Sequence, residues 1–179
     1  MIITITGASS SGKSAMAEAL AMKLAPGEKQ YIATMRRSTA AEDPIIARHR
    51  KLREGKSFRT WECPVNPEKL DLPKDSTVLL ECAANLLANE MFSCGSAPQE
   101  EAAARVCASV RALAGRCKNL IVVTNEVFFD GCTYEAGTAA YIRALGEVNR
   151  ELMKLSDLYL ESVYGIRYCY KGDPALLDQ

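Results

Sequence analysis

The chain lacks any apolar run approaching the roughly 18–20 residues a membrane-spanning helix needs. It lacks net charge: 22 basic side chains balance 22 acidic ones. Nothing in the bulk composition therefore calls for nucleic acid or an anionic membrane as partner. It has no C-x-x-C pair. Its seven cysteines are an odd number scattered over predicted strands and helices, which argues against a disulfide frame or a zinc site and for reduced, mostly buried thiols. There is no internal repeat, low-complexity stretch or interdomain linker. The residues after Met1 show neither a basic stretch nor a cleavage site. These absences together predict a soluble cytoplasmic protein whose residues 1–179 form one domain, long enough to bury its own core.

What is present begins at once. The β-branched run Ile2-Ile3-Thr4-Ile5-Thr6 breaks into Gly7-Ala8-Ser9-Ser10-Ser11-Gly12-Lys13-Ser14, a complete G-x-x-x-x-G-K-[ST] phosphate loop. Glycines at its two ends let the backbone turn tightly and aim successive N–H groups at phosphate oxygens. Lys13 then reaches the β and γ phosphates of a nucleoside triphosphate, and the Ser14 hydroxyl is placed to ligate Mg²⁺. Ala15 to Leu24 reads as the helix whose N-terminal dipole faces the anion.

Further along, Tyr31 to Thr34, Thr77 to Glu81, Leu120 to Thr124, Asp157 to Val163 and Ile166 to Tyr170 read as strands. Helices are predicted around Leu86, Leu87 and Phe92, over Glu100 to Arg116, and over Tyr134 to Leu155. The central strands are continuous apolar runs, so both sheet faces should be covered. The expected fold is α/β, a doubly wound and mostly parallel sheet of the phosphate-loop nucleoside triphosphate hydrolase kind. In such a sheet ligands gather at the carboxyl ends of the strands. The phosphate loop, Thr34, Glu81 and Asn125-Glu126 should therefore converge on one rim.

Two carboxylates compete for the place beside a metal. Glu81, at the end of its strand, is the first candidate, because Mg²⁺ keeps most of its waters and needs an acid to hold them. Glu126 is the second, and Asn125-Glu126 also fits a helix cap or a turn. From Arg36 to Arg59 the chain carries eight basic side chains against three acids. A short basic helix is predicted over Ile45 to Arg53, after Pro44. Inside it stands the chain's one histidine, His49, between Arg48 and Arg50. Neighbouring cations favour its neutral form, which leaves a nitrogen lone pair free as a nucleophile toward an α-phosphorus.

The ordered set of Gly7 to Ser14, Tyr31-Ile32-Ala33-Thr34, Ala47-Arg48-His49-Arg50, Phe58-Arg59-Thr60-Trp61-Glu62, Leu79-Leu80-Glu81-Cys82, Val123-Thr124-Asn125-Glu126-Val127 and Val148-Asn149 resembles the adenosylcobinamide kinase/adenosylcobinamide-phosphate guanylyltransferase family over nearly the whole chain. The resemblance implies a bifunctional enzyme of cobalamin biosynthesis. It phosphorylates the corrinoid hydroxyl with GTP or ATP and Mg²⁺, then passes GMP from GTP through a histidine, here His49, to give adenosylcobinamide-GDP. It further implies nucleotide contacts on Gly7, Ala8, Ser9, Ser10, Ser11, Gly12, Lys13 and Ser14, on Ala33, Thr34 and Met35, on Arg50, Lys51, Leu52 and Arg53, and on Glu62 and Glu81. It also implies a homotrimer. The residues by themselves leave two other readings open, a kinase acting on a small hydroxyl substrate and a nucleotide-binding module without turnover.

Overall fold

The computed structural model describes residues 1–36, 51, 53–93, 99–128 and 131–177. His49, Arg50 and Leu52 lie outside the described residues, as does the predicted basic helix apart from Lys51 and Arg53.

Seven strands form one sheet: β1 (Ile2–Thr6), β2 (Lys29–Ala33), β3 (Phe58–Glu62), β4 (Thr77–Leu80), β5 (Asn119–Val123), β6 (Leu158–Val163) and β7 (Ile166–Lys171). Their order is β3-β2-β4-β5-β1-β6-β7. Every neighbouring pair is parallel except β6 and β7, which form an antiparallel hairpin. Among the described residues they are joined by the helices α1 (Lys13–Leu24), α2 (Ala83–Phe92), α3 (Ala102–Ala114) and α4 (Ala136–Leu155).

The sheet separates two apolar layers. Ile3, Ile5, Leu79, Ile121, Val123, Leu158 and Leu160 pack with Ala17, Leu20 and Ala21 of α1 and with Leu177. On the other face Ile32, Val78, Leu80, Leu120 and Val122 pack with residues of α2, α3 and α4. Alternation along β4 shows the rule: Val78 and Leu80 face one layer and Leu79 the other, and all three are buried. This two-sided cover is why the central strands read as unbroken apolar runs.

One strand departs from the expectation. Phe58 to Glu62 contains only two large apolar residues and lies half open to solvent, yet it pairs in parallel with β2 along all five residues, as the sheet edge. The helix expected over Glu100 to Arg116 begins at Ala102 after a single 3-10 turn at Gln99–Glu101. That over Tyr134 to Leu155 begins at Ala136.

Candidate active site at the strand ends

The phosphate loop bends where its glycines allow. Gly7 has φ 144° and Gly12 φ 100°, conformations that a side chain would resist. A Cβ on Gly7 would also collide with the Ser162 carbonyl oxygen, and one on Gly12 would stand 3.3 Å from the Gly165 Cα. The loop is braced from the far end of the chain. The Ser162 hydroxyl and the Gly165 N–H donate to the Ser11 carbonyl at 2.7 and 2.8 Å. Lys13, 7% exposed, donates from Nζ to the Ala8 carbonyl of its own loop at 2.6 Å. Burial pushes its ammonium below the usual lysine range. Among the described residues the buried Ser11 Oγ has no hydrogen-bond partner, so the cradle keeps a hydroxyl in reserve for a ligand oxygen.

Strand order places β5 between β1 and β4, so the end of β4 stands two strand spacings, about 10 Å, from the phosphate-loop strand. Glu81 occupies that end, and its two oxygens are held from opposite sides. Oε1 accepts from the Tyr31 hydroxyl at 2.8 Å and Oε2 from the Thr34 N–H at 3.1 Å. Burial, with the Glu81 carboxylate beside it, pushes the Tyr31 phenol well above its usual range, so it remains a donor. The Arg53 guanidinium lies over the Tyr31 ring, 3.7 Å from its centroid. Behind it Lys56 pairs with the buried Glu18 of α1 at 2.6 Å.

Thr34 is fully buried. Its hydroxyl donates to the Cys82 carbonyl, and Asn89 of α2 donates from Nδ2 to the carbonyls of Thr34 and Pro64 at 2.8 and 2.9 Å. Cys82 caps α2, its Sγ accepting from the Asn85 N–H at 3.4 Å. Burial pushes this thiol up, which keeps it neutral. Asn149 of α4 clamps the end of β5: its Oδ1 accepts from the Thr124 hydroxyl at 2.7 Å and its Nδ2 donates to the Asn125 carbonyl at 3.1 Å.

Together these elements enclose a cleft of about 410 Å³ lined by Ser9 to Ala15, Met35, Glu81, Cys82, Asn85, Val123 and Asn125. Of the residues singled out from sequence, Ser9 to Ser14 of the phosphate loop, Met35, Glu81 and Asn125 meet there, while Gly7, Ala8 and Glu126 lie outside its lining. Ala33 and Thr34 lead into it from β2. Lys51, Arg53 and Glu62 stand outside its lining, Arg53 against Tyr31 and Glu62 at the end of β3. Cys82, Asn85 and the clamp residue Asn149 had no assigned part. A cysteine is a weak cap signal, and Asn149 acts across 24 and 25 residues of sequence.

A phosphate loop, a strand-end acid one strand removed and a polar residue between them describe nucleotide chemistry without naming a substrate. A model of the family "Cobinamide kinase / cobinamide phosphate guanyltransferase" matches residues 3–169. The chain belongs to this family. The bifunctional adenosylcobalamin biosynthesis protein CobU of Salmonella typhimurium is 34% identical over 93% of this chain and 97% of its own length. That of Escherichia coli is 30% identical over 85% and 90%. Among solved structures, a DnaB-like replicative helicase matches with a TM-score of 0.49 at 12% identity, covering 89% of this chain and 46% of the helicase, a level that says nothing of activity. Membership makes the chain a transferase of adenosylcobalamin biosynthesis, a cobinamide kinase and cobinamide phosphate guanylyltransferase. In this cobinamide kinase family member the cleft at the strand ends is lined by the phosphate loop.

Proposed function

We propose that both reactions use the one cleft, with the phosphate loop holding GTP or ATP and His49 carrying the guanylyl group between them. The observation that best supports this reading is the meeting of Lys13, Ser14, Glu81 and Asn125 around a cleft of nucleotide size at the strand ends. Lys13 exchanges its bond to the Ala8 carbonyl for phosphate oxygens, and the loop amides hold the rest of the chain of phosphates. Mg²⁺ fits the donors present. Ser14 offers a hydroxyl, and Glu81, oriented by the Tyr31 hydroxyl and the Thr34 N–H, offers a carboxylate toward a metal-bound water. Once bound, the ion neutralises charge on the phosphates being transferred.

In the second reaction an imidazole nitrogen of His49 attacks the α-phosphorus of GTP. A P–N bond forms, the bond to the β-phosphate oxygen breaks, and pyrophosphate leaves. A phosphate oxygen of cobinamide phosphate then attacks the same phosphorus, the P–N bond breaks, and the imidazole is restored. The chain acts as a cytoplasmic homotrimer in this reading; among the described residues no helix is long and apolar enough to cross a membrane.

Intact-protein mass spectrometry after incubation with GTP and Mg²⁺ tests the transfer step. Wild type should carry an acid-labile GMP adduct that His49→Ala lacks, while His49→Ala still phosphorylates cobinamide. Demonstrated GTP binding without any adduct in wild type would reduce the reading to a kinase.

A further inference from the structure

The reactions above need a seat for the acceptor. A cleft of about 410 Å³ lies at the small end of ligand pockets, and a nucleoside triphosphate takes up such a volume. The broad macrocycle of cobinamide must then rest outside it, with only the arm that bears the hydroxyl reaching the terminal phosphate.

Two features beside the phosphate loop lie outside the lining of that cleft. The first is Glu126, which follows the cleft residue Asn125 and whose N–H donates to the Gly7 carbonyl at 3.0 Å. Its Oε1 is buried and has no hydrogen-bond partner among the described residues. Burial, and secondarily the Glu161 carboxylate, push this group above the usual glutamate range, opposed by a hydrogen bond from the Phe128 backbone. A hydroxyl group is the donor that such an oxygen lacks.

The second is the β6–β7 hairpin. Tyr164 and Gly165 both have positive φ, 50° and 82°, the two-residue turn that favours Asn-Gly. A tyrosine held left-handed costs roughly 1–2 kcal/mol, and at 95% exposure no packing offsets that cost. Backbone strain of this kind clusters at ligand sites. The register sets Glu161 opposite Tyr168 and Val163 opposite Ile166, so these share a face, and the Tyr170 hydroxyl donates to Glu161 at 2.6 Å. Ile166, Tyr168 and Tyr170 are each at least half exposed. An aromatic ladder thus starts at the turn pinned to Ser11 and runs outward along an edge strand, with Glu126 within electrostatic reach of its Glu161 and Tyr170.

We propose that this is the acceptor subsite: the cobinamide hydroxyl sits on Glu126 Oε1, and the flat macrocycle lies on Tyr164, Ile166 and Tyr168. The subsite rests on the kinase reading above. The hydroxyl oxygen bonds to the γ-phosphorus as the bond to the β,γ-bridging oxygen breaks. The hydroxyl proton passes to Glu126, and the electron pair leaves with the nucleoside diphosphate.

Steady-state phosphorylation of cobinamide, with nucleotide affinity measured separately by a fluorescent GTP analogue, tests it. Tyr164→Asn should melt higher, by roughly 2–4 °C, while its KM for cobinamide rises roughly 3- to 10-fold at unchanged nucleotide affinity. Tyr168→Ala should raise the same KM. Glu126→Gln should lower kcat by about 10²–10⁴ with nucleotide affinity kept. Unchanged cobinamide KM in both tyrosine variants, or a loss of nucleotide affinity or a changed subunit count in step with that KM, would overturn the subsite. Wild-type protein that fails to phosphorylate cobinamide would instead remove the kinase reading itself.

Discussion

Lys13 is bonded to its own loop, and burial depresses its affinity for a proton. An arriving triphosphate supplies the opposite charge and should restore that affinity. Nucleotide affinity should therefore weaken as pH rises through the depressed Lys13 value, with net proton uptake on binding at alkaline pH. Titration calorimetry in buffers of different ionisation enthalpy reads the uptake directly, and Lys13→Arg should abolish it. Loss of the lysine charge altogether, in Lys13→Ala, should cost about 10²–10³ in kcat. Tyr31 acts on the other side of the cleft. Tyr31→Phe removes a hydrogen bond to a carboxylate and should lower stability by about 1.5–3 kcal/mol. The Mg²⁺ concentration for half-maximal rate should rise as well. A stability loss without any change in metal dependence would make Tyr31 a packing residue only.

Between elements, Asn149 ties α4 to the end of β5 through two hydrogen bonds. Asn149→Ala leaves the Thr124 hydroxyl and the Asn125 carbonyl without those partners, a loss of about 1–3 kcal/mol. A urea midpoint shifted down at constant m-value, with weaker GTP binding, is the expected outcome. This clamp marks where sequence reasoning runs out. The phosphate loop and Glu81 were legible because local chemistry fixes them: a glycine pattern after an apolar run, and an acid ending a buried strand. β3 was not, because Phe58-Arg59-Thr60-Trp61-Glu62 lacks an apolar run and becomes a strand only by pairing with β2. Tyr31 as a donor to Glu81 and Asn149 as a clamp depend on partners far along the chain, and Cys82 caps its own helix with a side chain that is a weak cap signal, so neither periodicity nor propensity encodes any of the three.

For the whole molecule, the raised Glu126 carboxyl sets a sign on pH dependence. Its charged form is disfavoured in the fold, so the native state binds a proton that the unfolded chain, at its ordinary value, has already lost. Stability should accordingly rise as pH falls from the raised folded value toward the ordinary glutamate range. Thermal melting across that window should show the rise in wild type and its absence in Glu126→Gln. The sheet order has a consequence in time as well. β1, which leaves the ribosome before the other six strands of the sheet, is central, and its two neighbours are β5 and β6, which begin at Asn119 and Leu158. The loop that follows β1 is braced by Ser162 and Gly165. At roughly 5–20 residues per second of synthesis, the nucleotide motif therefore waits many seconds before the chain that completes it exists. The motif is made long before it can mature, and a nascent chain stalled between the motif and the hairpin should be blind to GTP.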